Sequence, residues 1–148
     1  MAQTAAHAMF ARDRASNDLG IELVSAGHGT ARVRMTVTAA MVNGHGMTHG
    51  GYVFLLADTA FACACNSHGP VTVAAGAEVS FLRPTGTGDV LEAYAEQRSG
   101  SGRSGIYDVT VTRRSDVIAE FRGRSRTLGG GRAPAAGDLP DRATEEPR

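Results

Sequence analysis

Residues 52–66 read YVFLLADTAFACACN and carry one side chain that is formally charged at pH 7, Asp58. The run is too long and too rich in alanine for a strand, which usually spans about 5–6 residues, so it predicts a helix buried all round. His68-Gly69-Pro70 then closes it, because glycine and proline stop helices. A helix of this kind cannot be left in water. It needs a sheet curved enough to wrap it.

The flanking sequence supplies strands. In residues 30–38, Ala31, Val33, Met35 and Val37 alternate with Arg32, Arg34, Thr36 and Thr38, the period of a half-buried strand. Residues 21–25 read as a shorter strand, followed by a turn at 26–29. After the helix, residues 71–83, 89–98, 105–114 and 116–127 read as four more strands. Glycine-rich connections at 84–88 and 99–102 join them, with a tight hairpin at Arg114-Ser115-Asp116. Short connections imply antiparallel pairing of consecutive strands. The alanine-rich residues 5–17, with Met9 and Phe10, predict one short N-terminal helix. The class is α+β, in one domain over residues 1–128. From 129 onward the chain is Gly, Pro, Ala and charge, with Leu139 its one large apolar residue. That composition predicts a disordered tail over 129–148.

The 148 residues balance 15 basic against 15 acidic side chains. The basic excess that marks nucleic-acid binding is missing. Every basic residue is arginine, which excludes Schiff-base chemistry on a lysine. No run of about 18 apolar residues exists to span a bilayer, and the N-terminus lacks the pattern of a signal peptide. Cys63 and Cys65 lie too close together for a disulfide on a helix, so a reducing cytoplasm is expected. They read as small buried hydrophobes rather than nucleophiles.

Asp58 is the residue that does not belong. On a helix its neighbours three and four positions away are Phe54, Leu55, Phe61 and Ala62, all apolar. A carboxylate there is costly unless it is paired, hydrogen-bonded or protonated. Two turns upstream, Asn43-Gly44-His45-Gly46-Met47-Thr48-His49-Gly50-Gly51 holds more glycine than a turn requires. The first N–H groups of a helix lack intrahelical partners and carry partial positive charge. Gly50 and Gly51 would let a substrate oxygen reach them, as acyl transfer needs. Gly50 and Asp58 are eight residues apart, or about 12 Å along one helix axis. One chain therefore cannot bring both to one carbonyl carbon. Two antiparallel copies across a two-fold axis can, and symmetry then gives a second site.

These residues resemble the hotdog-fold acyl-CoA thioesterases of phenylacetate degradation. The resemblance runs through Val42-Asn43-Gly44, His49-Gly50-Gly51, Leu56-Ala57-Asp58-Thr59-Ala60-Phe61-Ala62 and Cys65-Asn66-Ser67. It continues in Phe81-Leu82-Arg83-Pro84, Gly105-Ile106-Tyr107-Asp108 and Phe121-Arg122-Gly123, and covers about residues 5 to 130. It implies a curved antiparallel sheet around a long helix, with Asp58 as general base or direct nucleophile. It implies that the Gly50 N–H polarises the thioester carbonyl, and that Asn43 and His49 orient water or support the loop. The implied substrates are phenylacetyl-CoA and its ring-hydroxylated relatives. The implied assembly is a dimer that pairs into a tetramer, without a cofactor.

Further candidates have two readings each. Arg122, Arg124 and Arg126 share one face of the last strand, where they would bind CoA phosphates or simply meet solvent. Arg83, at a strand end, is a weaker candidate for the same duty. Thr59 would hydrogen-bond substrate or its own helix carbonyl. His45 and His49 have a metal-like spacing, but glycines put them on a loop, and no metal is expected. Two rival functions stay open: a hydratase or dehydratase using His49 with the acid, and a non-catalytic acyl-CoA sensor.

Overall fold

The computed structural model describes residues 4–129. The expected tail, apart from Gly129, lies outside them. Thr4 caps helix α1 (Ala5–Ala11), and Asp13 caps helix α2 (Arg14–Asp18) by accepting the Ser16 N–H. Residues 5–17 are thus two helices, not one. The break falls at Asp13, a side chain that competes for backbone N–H groups and favours a helix start over an interior.

Strands β1 (Glu22–Gly27) and β2 (Thr30–Thr36) form a hairpin, followed by a short 3-10 turn, Ala39–Met41. The long helix α3 runs over Gly50–Asn66. Four strands follow: β3 (Thr72–Phe81), β4 (Val90–Ser101), β5 (Ser104–Arg113) and β6 (Asp116–Thr127). The β4–β5 link is tighter than expected, with Ser101 paired to Ser104 around Gly102 at φ 59°. Arg113 pairs with Asp116 around Arg114, also left-handed at φ 56°, as the hairpin reading requires.

All six strands lie in one antiparallel sheet in the order β1-β2-β4-β5-β6-β3. Pairing of consecutive strands holds for β1–β2, β4–β5 and β5–β6. It fails at β3, which crosses to the far edge and pairs with β6, from Thr72↔Thr127 to Phe81↔Ala119. Residues 82–89 then return the chain to the middle of the sheet.

The sheet wraps α3, as the hotdog expectation requires. Ala57, Ala60 and Ala64 are fully buried and let the strands come close, while Leu56 and Phe61 fill the space between. Phe61 packs tilted against Tyr107 and Phe121, with ring centroids 5.5 and 5.9 Å away. Gly123 makes room for it, because a Cβ there would lie 2.8 Å from the ring. On the other face of the sheet, exposed ion pairs such as Arg34–Glu22 and Arg122–Asp108 cross between strands. Such pairs add solubility more than stability. Among the described residues no helix is long and apolar enough to cross a membrane.

Candidate active site

The loop before α3 is held in place by its own side chains. Asn43 Oδ1 accepts the N–H groups of His45 (2.9 Å) and Met47 (3.2 Å). The Thr48 N–H donates to the Thr85 carbonyl at 2.9 Å, and the two threonine hydroxyls meet at 2.8 Å. Asn43 is therefore a loop brace. His49 is the N-cap of α3: its Nδ1 accepts the Gly51 N–H at 2.9 Å. An accepting Nδ1 places the ring proton on Nε2. This cap explains Gly51, where a Cβ would sit 3.0 Å from the His49 ring. Gly51 thus gives room to the cap and spends its N–H on it, so of the two glycines Gly50 is the one whose N–H is left over.

Gly50 is different. It is the first residue of α3, and among the described residues its N–H donates to no acceptor. A Cβ here would lie 3.0 Å from Cζ of Phe81, at the end of β3. Gly50 lines a cavity of about 500 Å³ whose wall also includes Asn43, Met47, Val53, Phe81 and Arg83. The Arg83 guanidinium is anchored there by donating to the Val117 carbonyl at 3.0 Å. Arg83, the weaker arginine candidate on sequence, shares the cavity with Gly50.

Asp58 lies two turns further along α3. It is half-buried, and its carboxylate takes part in none of the ion pairs among the described residues. Burial, and then the negative charge of Asp13, push its carboxyl above the ordinary 3.8. Of its four apolar neighbours only Phe61 is fully buried; Phe54, Leu55 and Ala62 are half-exposed. Gly51, Leu55, Asp58 and Ala62 form a stripe on the flank of α3 that faces away from the sheet. Since α3 is one unbroken helix over Gly50–Asn66, Asp58 and Gly50 of the same chain stay separated along its axis.

Thr59 departs from both of its readings. Its hydroxyl meets neither its own helix carbonyl nor open space, but Ser16 Oγ at 2.8 Å. Arg122, Arg124 and Arg126 do share the outer face of β6. Arg122 spends Nε and one terminal nitrogen on Asp108, at 2.7 and 2.9 Å, which holds the Asp108 carboxyl below its usual range. Arg124 and Arg126 instead line a second cavity, of about 330 Å³, with Ser99 and Ser104. Burial pushes the Cys63 and Cys65 thiols up to about 12, so they stay protonated and inert at neutral pH. Sequence reasoning missed the Asp13–Ser16–Thr59 contact and the Phe81 ring over Gly50. The first had a local signal, an acid three residues before a serine at a helix start. The second had none, because β3 meets α3 only in the folded chain.

Residues 45–120 match the family described as Thioesterase superfamily. The acyl-coenzyme A thioesterase PaaI of Escherichia coli is 48% identical over 126 residues, which span 84% of this chain and 90% of that protein. The solved structure of E. coli PaaI, from the phenylacetic acid degradation operon, superposes with a TM-score of 0.83 at 46% identity, covering 86% of this chain and 93% of that one. A Thermus thermophilus protein matches with a TM-score of 0.77 at 37% identity, over 79% of this chain and 99% of that one. A Streptococcus mutans protein solved with acetyl CoA bound gives 0.72 at 25% identity, over 76% and 91%. Fold, family match and identity across most of both chains agree, and the chain belongs to the thioesterase superfamily.

Proposed function

We propose that this enzyme hydrolyses a small acyl-CoA thioester, phenylacetyl-CoA or a ring-hydroxylated relative, to the free acid and coenzyme A. It is a thioester hydrolase by family. The observation that carries the site assignment is the pair of unsatisfied groups on α3: the Gly50 N–H at its start and the half-buried Asp58 carboxylate on its open flank. Asp58 takes a proton from water, and the hydroxyl oxygen bonds to the thioester carbon. The carbonyl electron pair moves to oxygen, where the Gly50 N–H of the other protomer stabilises it. Collapse breaks the C–S bond, and the leaving thiolate takes the proton back from Asp58. Direct attack by the Asp58 carboxylate uses the same groups, through an anhydride that water then opens.

The dimer that this requires has a surface to form on. β3 is an edge strand with one side unpaired, and Val73, Phe81 and Leu82 are 42%, 55% and 55% exposed beside it. An apolar open edge is a liability unless another chain covers it. In this reading two such dimers pair into a tetramer. Arg83, with Arg124 and Arg126, takes the CoA phosphates, while Arg122 is held by Asp108. A hydratase would need His49 at the reacting carbon, but its Nδ1 is committed to the helix cap. A panel of phenylacetyl-, hydroxyphenylacetyl- and straight-chain acyl-CoA, followed by release of free thiol, tests the assignment. The aromatic substrates are expected to give the highest kcat/KM. Thiol release from none of them, with an absorbance change on an enoyl-CoA, would refute it.

A further inference from the structure

A second carboxylate sits within two hydrogen bonds of the residue that follows Asp58. Ser16 Oγ donates to Asp13 Oδ2 at 2.6 Å and lies 2.8 Å from Thr59 Oγ1, while the Ser16 N–H donates to Asp13 Oδ1 at 2.9 Å. Ser16 and Thr59 are 1% and 7% exposed, so neither hydroxyl can trade its partner for water. An ionised carboxylate only accepts, and each hydroxyl has one proton to give. Ser16 gives its proton to Asp13, so Thr59 must give its own to Ser16. The chain of bonds has one direction, from α3 to the charge. Among the described residues no ion pair neutralises Asp13.

We propose that Asp13 is a positioning residue for hydrolysis: gripped by Ser16 and Thr59, it fixes a negative charge beside Asp58 and makes Asp58 a stronger base. The proposal rests on Asp58 being the carboxylate of the reaction. A neighbouring like charge favours the protonated form, which agrees with the upward displacement of Asp58 by burial and by Asp13. On the helices packed against α3, His7 turns to Thr4 and Arg12, Arg14 and Asp18 are exposed, and Asp13 is the charge among them that raises Asp58. The remaining titratable groups around this part of α3 are Cys63 and Cys65 on the helix itself and Tyr107 on β5. All three are pushed up to about 12, chiefly by burial, and are neutral at working pH. Asp13 therefore supplies the charge.

The test uses two variants of the full chain. Asp13→Asn removes the charge but keeps an oxygen for the Ser16 N–H, and its amide can donate to Ser16 in place of accepting. Its acid limb of kcat/KM should move to lower pH, with plateau kcat lowered by no more than about tenfold and KM unchanged. Ser16→Ala breaks the chain of bonds and keeps the charge. It should lower the melting temperature and leave the acid limb nearer the wild-type position. The 13C carboxylate resonance of Asp58 reads the same displacement without turnover. An unchanged Asp58 midpoint in Asp13→Asn, with Asp58→Asn inert, overturns this inference alone. Wild-type turnover in Asp58→Asn overturns the assignment of Asp58 itself.

Discussion

Asp58→Asn is expected to lose about a thousandfold or more in kcat, the scale set by general acid–base catalysis, while its circular dichroism stays that of the wild type. It should also melt at a higher temperature at pH 7. The folded-state carboxyl titrates above its ordinary 3.8, so the native chain binds this proton more tightly than the unfolded chain does. Stability from this group therefore falls as pH rises from 3.8 towards the raised value, and the ionised carboxylate burdens the fold above that window. Asn has no such burden. The gain in melting temperature should vanish when both chains are compared below pH 3.8. Lower stability for Asp58→Asn at pH 7 would mean that the carboxylate has a stabilising partner and is not held in reserve for substrate.

Gly50→Pro isolates the other half of the machinery, because it deletes one N–H and little else. Proline is favoured at the first helical position, where the N–H has no intrahelical partner. The preceding residue, His49, already sits at φ −62° and ψ 132°, the extended region that a following proline demands. The new Cβ approaches the tip of the Phe81 ring, and that ring is exposed enough to swing aside. The fold should survive, and kcat should fall about 10²- to 10³-fold, the usual loss when one oxyanion donor is removed. Gly50→Ala adds the same Cβ but keeps the N–H, so it should retain much more activity. Equal losses in the two variants would assign the effect to the Phe81 contact and not to the missing donor.

Much of this was readable in the residues, and the unreadable part has a common cause. The helix announced itself because residues 52–66 contain no charged side chain except Asp58. The alternation of Ala31, Val33 and Met35 marked the inner face of β2, continued by Val37 just past its end, and all four are buried. Local chemistry also carried the Arg114-Ser115 hairpin. What escaped depends on partners distant in sequence. β3 reads as the partner of β4, yet its edge position comes from pairing with β6, a strand distant in sequence, from Thr72↔Thr127 to Phe81↔Ala119. The flank of α3 around Asp58 looked closed because Leu55 and Ala62 are apolar. The periodicity of a helix that is apolar all round cannot say which side the sheet leaves open. Gly50 and Gly51 looked equivalent, and only the fold of the His49 ring onto the Gly51 N–H separates them.

The shared site is tested most directly by mixing two inactive proteins. In Asp58→Asn the Gly50 donor is intact, and in Gly50→Pro the Asp58 carboxylate is intact. Subunit exchange in an equal mixture makes about half of the dimers mixed, each with one complete site and one doubly damaged site. Activity should then rise to about a quarter of the wild-type value, in step with mixed dimers counted by native mass spectrometry. Mixed dimers with no more activity than the average of their parents would place both groups of each site in a single chain, contrary to everything argued from the geometry of α3.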